Sequence, residues 1–211
     1  MHILSINIGN LQPDPQNNGQ STGIYKQPVQ RPVNLTVLGI ENDTIADEKH
    51  HGGRDQAVYL YGQDDYDWWQ TQLGRALPHG IFGENLTIAN LASAHLSIGD
   101  FLQIGEVLLQ VTAPRIPCAT LAARMEDPEF VKKFRHSNRP GAYCRVLIPG
   151  TLQPGATVQQ QPYGSETIRL TECYQTYYLS QPTPTDLLRQ LRAPIAIRLR
   201  EKYEAKLQKI R

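Results

Sequence analysis

Glycine and proline, 16 and 15 of them in 211 residues, break most of the chain into short apolar runs. A long amphipathic helix needs an unbroken period near 3.6, and the first three quarters of this sequence rarely sustains one. Strands joined by tight turns are the consistent reading. Ile3 to Ile8, Val33 to Val37, Ala57 to Tyr61, Leu86 to Ile88, Phe101 to Ile104, Val107 to Val111 and Ala142 to Leu147 are the expected strands. Asp100 and Gly105–Glu106 mark turns between them. Many short strands of this kind suggest a barrel or a folded sheet. Two helices interrupt the pattern. One is expected to be capped by Asp64 or Asp65 and to run through Trp68, Trp69 and Leu73. The other is expected to start at Asp127–Pro128 and to pass through Phe130, Val131 and Phe134.

The segment Gln159–Gly164 has linker composition, and the period changes after it. Thr167 to Tyr178 is expected as a helix, and Thr185 as the cap of a short one through Leu187, Leu188 and Leu191. Pro194 opens a last helix whose apolar stripe is Ala196, Leu199, Tyr203, Leu207 and Ile210. The expected architecture is therefore a mainly β, barrel-like domain over residues 1–160, followed by a small all-α module of three helices over residues 165–211.

Charge is uneven along the chain. Residues 187–211 carry eight Lys/Arg against two Asp/Glu, a net of +6; with +1 overall, the remainder carries −5. A basic tail raises nucleic-acid binding as one option, which would show as steep salt dependence. The three cysteines, Cys118, Cys144 and Cys173, make a poor disulfide framework, so a reducing compartment is expected. No secretory leader and no membrane-length apolar run is evident, which points to the cytoplasm.

Four clusters carry chemistry. Asp47 to Asp55 places His50, His51, Gly52, Gly53 and Arg54 ahead of a strand. It reads equally as a solvated turn or as a ligand-approaching loop. Phe82-Gly83-Glu84-Asn85 either closes a turn or orients a ligand. Pro114-Arg115-Ile116-Pro117-Cys118 stiffens the backbone on both sides of one thiol, with Arg115 able to favour the thiolate. Read alone, Cys118 serves as readily as a small packed hydrophobe. Arg145, in the fourth cluster, is a candidate anion ligand, whereas Cys144 has the alternation of a packed residue. There is no Cys-x-x-Cys pair, zinc-hydrolase helix motif, phosphate loop or dinucleotide fingerprint. Adjacent histidines cannot both face one metal from a strand or helix, so a zinc hydrolase is disfavoured.

Taken in order, these clusters resemble the MOSC domain (the molybdenum cofactor sulfurase C-terminal domain), in its YiiM-like branch. The matching stretches are STGIYKQPV at 21–29, ADEKHHGGRDQAVYLY at 46–61, FGENLTI at 82–88, IGDFLQIGEVLLQVTAPRIPC at 98–118 and GAYCRVLIPG at 141–150. The tail is similar to the three-helix module of that branch. Where the family often has a Gly-Asp turn, this chain has Asn42-Asp43, and Asn tolerates the same positive φ.

The resemblance implies a molybdopterin-type cofactor with Cys118 as ligand to molybdenum, a soft ligand for a sulfur-rich centre. It implies Lys26, His51, Arg54 and Arg115 around the cofactor's anionic part, Asn85 on the pterin ring, and His51 or Asp55 as proton donor. The implied activity is reduction of N-hydroxylated compounds such as hydroxylaminopurine-type bases, independent of pyridoxal phosphate. Electrons would come from an external flavoprotein-type donor, which the basic tail could steer. No membrane and no nucleic acid partner is expected, and a homodimer stays open. The alternative is a cofactor carrier or sulfur-transfer protein holding a persulfide on Cys118.

Overall fold

The computed structural model describes residues 1–14, 21–46, 52–164 and 167–210. Its centre is a sheet of eight strands: β1 (His2–Ile8), β2 (Gln27–Val29), β3 (Val58–Gly62), β4 (Leu86–Ala89), β5 (Phe101–Ile104), β6 (Val107–Pro114), β7 (Ala142–Ile148) and β8 (Gln159–Gln161). They lie in the order β8-β5-β6-β7-β3-β4-β1-β2. All neighbours are antiparallel except β3 and β4, which pair Leu60 with Leu86 in parallel. A smaller sheet joins Gly150–Leu152, Val33–Thr36 and Gly39–Ile40. All five residues of β3 are buried, because the strand lies mid-sheet and is covered on both faces; this removes the alternation that an edge strand shows.

The expected strands are all present, with ends shifted by a few residues. The closed barrel is not. Among the described residues β8 and β2 are opposite edges of one sheet and do not pair with each other. Helix and strand hold similar shares, 31% and 30%, a mixed sheet followed by C-terminal helices, roughly consistent with the expected architecture apart from the barrel. The expected linker also differs. Gln159–Gln161 pairs with Phe101–Gln103 as an edge strand, because an extended polar segment satisfies its backbone on a free sheet edge.

Helix α1 (Gln63–Leu73) follows β3 without a loop. Its N-cap is Gly62, not Asp64 or Asp65. A Cβ at Gly62 would lie 1.9 Å from the Leu91 carbonyl oxygen, so only glycine allows this turn. Asp65 is instead fully buried. It accepts from the Ser93 amide at 2.8 Å and pairs with Arg139 at 2.6 Å. Beyond α2 (Ala119–Arg124), helix α3 spans Phe130–Ser137, starting later than expected because Asp127 turns back to accept the Glu129 amide at 3.0 Å. Trp69 of α1 packs against Phe130 and Phe134 of α3, with ring centroids 4.9 and 6.0 Å away, and Phe82 joins them.

The C-terminal helices are α4 (Leu170–Tyr177), α5 (Pro184–Leu191) and α6 (Ile197–Ile210). Thr183, rather than Thr185, caps α5 through a reciprocal pair with Asp186, with Pro184 in the first turn. Leu170, Cys173, Leu187, Leu199 and Tyr203 join the same hydrophobic cluster as the sheet. No helix of the described residues is long and apolar enough to cross a membrane.

Phe134 is fully buried in the aromatic cluster. Phe134→Ala is expected to lower the unfolding free energy by about 3–5 kcal/mol, through lost transfer energy and a residual cavity. Urea titration measures it; a loss below about 1 kcal/mol would show that the cluster collapses around the gap.

Candidate functional site

One cavity of about 150 Å³ collects most of the residues singled out from the sequence. Its floor is built where β6 ends. Pro114 closes the strand, Arg115 turns inward, and Pro117 delivers Cys118 in extended geometry as the N-cap of α2. The Cys118 side chain makes no cap bond with that helix and lines the cavity, half-buried.

Arg115 is 4% exposed. Its guanidinium lies 4.9 Å from the ring centroid of Tyr59, a cation–π contact, and Nη1 donates to the Phe82 carbonyl. Its Nε is buried with no protein acceptor. Gly83, at φ 73°, makes room: a Cβ there would stand 3.2 Å from Nη1 and 2.9 Å from Ile24. Burial disfavours the Arg115 charge, but Tyr143, Tyr59 and Cys118 together favour it more, and its pKa moves above the ordinary arginine value. A guanidinium held beside a thiol is the setting that favours a ligating thiolate.

Lys26 also lines the cavity, but its charge is answered. Nζ lies 2.5 Å from each carboxylate oxygen of Asp43, with both side chains under a tenth exposed. Burial pulls the Lys26 pKa down, and Asp43 partly restores it. Asp43 also accepts from the Gly9 amide and from Asn85 Nδ2, each at 2.8 Å. Asn85 lines the cavity, yet its amide is shared with the protein, because Oδ1 accepts from the Tyr59 amide at 3.1 Å. Asn42, at φ 66°, makes the turn that presents Asp43, as expected for Asn in the Gly position. Thr120 of α2 donates to Asp14 at 3.2 Å, which ties the segment after β1 to the cysteine helix.

Several expectations are corrected. Asp55 is not in the cavity wall. Its carboxylate pairs with Arg145 at 3.0 Å and accepts the Ile197 amide at 2.6 Å, so it fastens the sheet to α6. Arg145 takes part in the same fastening and also donates to the Pro194 carbonyl at 3.1 Å. Arg54 is exposed in a short 3-10 turn outside the wall, where water solvates its charge. Asp47 to His51, and with them the roles expected of His51, lie outside the described residues. Cys144 is fully buried as its alternation implied, and burial pushes both its thiol and that of Cys173 up, the latter to about 12.

Sequence reasoning missed Tyr59, Tyr143, Asp43 and Gln56, all in the wall. Tyr59 sits in a strand buried on both faces, where no periodicity separates cavity from core. Burial raises the pKa of both tyrosines, so both keep their phenolic protons at neutral pH. Glu84 stands behind the wall. Its Oε1 accepts from Tyr66, the Gly80 amide and Thr87, while Oε2 has no protein partner. Burial raises its pKa, and those hydrogen bonds only partly offset it. Among the described residues no group of three or more His, Cys, Asp or Glu side chains gathers to hold a metal.

A half-buried thiol, a buried cation and a side-chain amide share the wall of one cavity. Residues 47–159 match the MOSC domain, and the chain belongs to that family, a molybdenum-cofactor-binding one. Protein YflK of Bacillus subtilis is 37% identical over 167 residues, covering 79% of this chain and 76% of YflK. A protein of Gibberella moniliformis named "Reductase" is 32% identical, over 76% of this chain and 30% of its own length. The crystal structure of YiiM from Geobacillus stearothermophilus superposes with a TM-score of 0.82 at 27% identity, covering 98% of each chain.

Glu84→Gln tests the buried carboxyl. Its folded pKa is raised above the ordinary value of 4.5, so the folded protein holds a proton that the unfolded chain releases first. Stability from this group is present below that value and is lost as pH rises through the folded pKa. The wild type is expected to lose unfolding free energy over that interval relative to Glu84→Gln. Parallel stability–pH curves for the two proteins would refute the assignment.

Proposed function

We propose that this protein is a molybdenum-cofactor-dependent reductase of N-hydroxylated compounds, with Cys118 as the protein's ligand to the metal. The observation that carries the reading is Cys118 facing a cavity whose neighbouring buried cation, Arg115, keeps one N–H without a protein acceptor. The residues fit such a group in kind. A thiolate suits a soft, sulfur-rich metal centre. A molybdopterin carries a phosphate, which asks for cationic and N–H donors. Arg115 is the proposed principal cation. Lys26 contributes a donor more than a charge, because two of its three N–H groups face Asp43.

The reaction proposed is R–NHOH + 2e⁻ + 2H⁺ → R–NH₂ + H₂O. When bound, the cofactor supplies the two-electron chemistry. The chain's own residues position the reactants and handle protons. Tyr59 and Tyr143 wall the cavity with protonated phenols, and Tyr59 Oη is held by the Pro140 carbonyl at 2.9 Å. His51, the side chain type that titrates nearest neutrality, is the proposed proton source. Electrons are proposed to come from an external flavoprotein-type donor. The fungal relative's name, "Reductase", supports the reaction class and leaves the substrate open.

Gently purified protein is expected to carry molybdenum and to reduce a hydroxylaminopurine with a chemical or flavoprotein donor. Cys118→Ser is expected to lose the metal and to lower kcat/KM by more than about a hundredfold, beyond the usual effect of residues that merely support a ligand. Equal molybdenum in both proteins would remove Cys118 from the metal. A labile persulfide on Cys118 in metal-free protein would favour sulfur transfer instead.

A further inference from the structure

The matched domain ends at residue 159, yet the C-terminal helix holds a residue of the cavity wall. The first turn of α6 docks on the loop that enters β3. The Ala196 amide donates to the Thr112 carbonyl at 3.0 Å, and the Ile197 amide to Asp55 at 2.6 Å. Thr112 in turn donates to the Asp55 carbonyl at 2.5 Å. Next on the helix, Arg198 Nη1 donates to Gln56 Oε1 at 2.6 Å, and Gln56 lines the cavity. The position of a Cβ on Gly53 lies 4.0 Å from Arg198 Nη2, so the guanidinium spans this loop.

A guanidinium has only donors. The Gln56 atom facing Arg198 is therefore its oxygen, and the Gln56 N–H groups are left for whatever else the side chain meets. No protein acceptor takes Gln56 Nε2 among the described residues. A side chain pinned at one end also has less rotamer freedom to lose on binding. Burial raises the Tyr143 pKa, and the charges of Arg115 and, more weakly, Arg198 oppose that rise.

We propose that Arg198 is a positioning residue of the cavity, supplied from outside the matched domain. It holds the carbonyl of Gln56 and leaves that side chain's amide donors for anionic ligands bound beside Cys118. The C-terminal module is thus part of the binding site. The inference rests on the reading of the cavity as an anion site. It needs no metal, so its failure and that of the molybdenum proposal are separate results.

The test uses metal-free full-length protein and two thiol reagents, the dianionic dithionitrobenzoate and the neutral dithiodipyridine. Cys118 thiolate displaces one arylthiolate from either reagent and forms a mixed disulfide, which absorbance follows. Cys144 and Cys173 are 0% exposed and do not contribute, and Cys118→Ser supplies the baseline. The readout is the ratio of the dianionic to the neutral rate. Arg198→Gln is expected to lower that ratio about fivefold, the effect of about one net hydrogen bond from the positioned Gln56 amide. Arg198→Lys is expected to keep most of it.

Gln56→Ala leaves Arg198 and the Asp55 contacts in place, so it reads out even where Arg198→Gln folds poorly. It is expected to lower the ratio in the same direction. A ratio unchanged in both variants, whatever happens to the melting temperature, overturns the proposal. An effect in Arg198→Gln with Gln56→Ala matching wild type also overturns it, since bare charge would then suffice. A wild-type thiol inert to both reagents removes the open cavity, and the inference with it.

Discussion

The site depends on a guanidinium buried under a tyrosine. Arg115 has little exposure, yet its charge is retained, because a ring face, a carbonyl oxygen and a sulfur surround it. Burying an unpaired charge is expensive, and proteins accept the cost where partners are arranged in advance. Here the arrangement uses Gly83 to open space, Phe82 to accept, and the rigid Pro114–Pro117 segment to hold Arg115 and Cys118 on one wall. The Arg115 Nε remains buried without a protein acceptor.

Lys26 shows that a cation in a pocket is not always a net charge. Asp43 cancels it and at the same time ties Asn85 and Gly9 together. This network fixes the shape of one wall, and leaves Arg115 to set its charge. Asp55 does similar work at the other end of the site. Its two carboxylate oxygens join Arg145 of β7 and the first turn of α6, so the loop entering β3 is held from both sides. A group that reads as a proton donor in the sequence has both its oxygens engaged by these partners.

The strands were legible wherever one face meets solvent or a turn residue bounds the run, as at Phe101–Ile104 and Val107–Pro114. The motif-bearing residues Cys118, Arg115, Lys26 and Asn85 do line one cavity. What was misread is instructive. Gln159–Gln161 has the composition of a linker, but a sheet edge recruits it by backbone hydrogen bonds, which are indifferent to side-chain type. Asp64 and Asp65 have the composition of caps, but the steric limit beside Leu91 gives that place to Gly62 and sends Asp65 to Ser93 and Arg139.

The sequence by itself determined seven strands and the thiol set between two prolines, since these follow from local periodicity and residue chemistry, while the family followed from the resemblance of its ordered motifs. Only the tertiary structure decided which charges remain unanswered. Lys26 and Asp43 are seventeen positions apart, Asp55 and Ile197 a hundred and forty-two. Whether a cation binds a ligand or a neighbour depends on what folding brings within about three ångströms, the reach of a hydrogen bond. No local pattern encodes that distance.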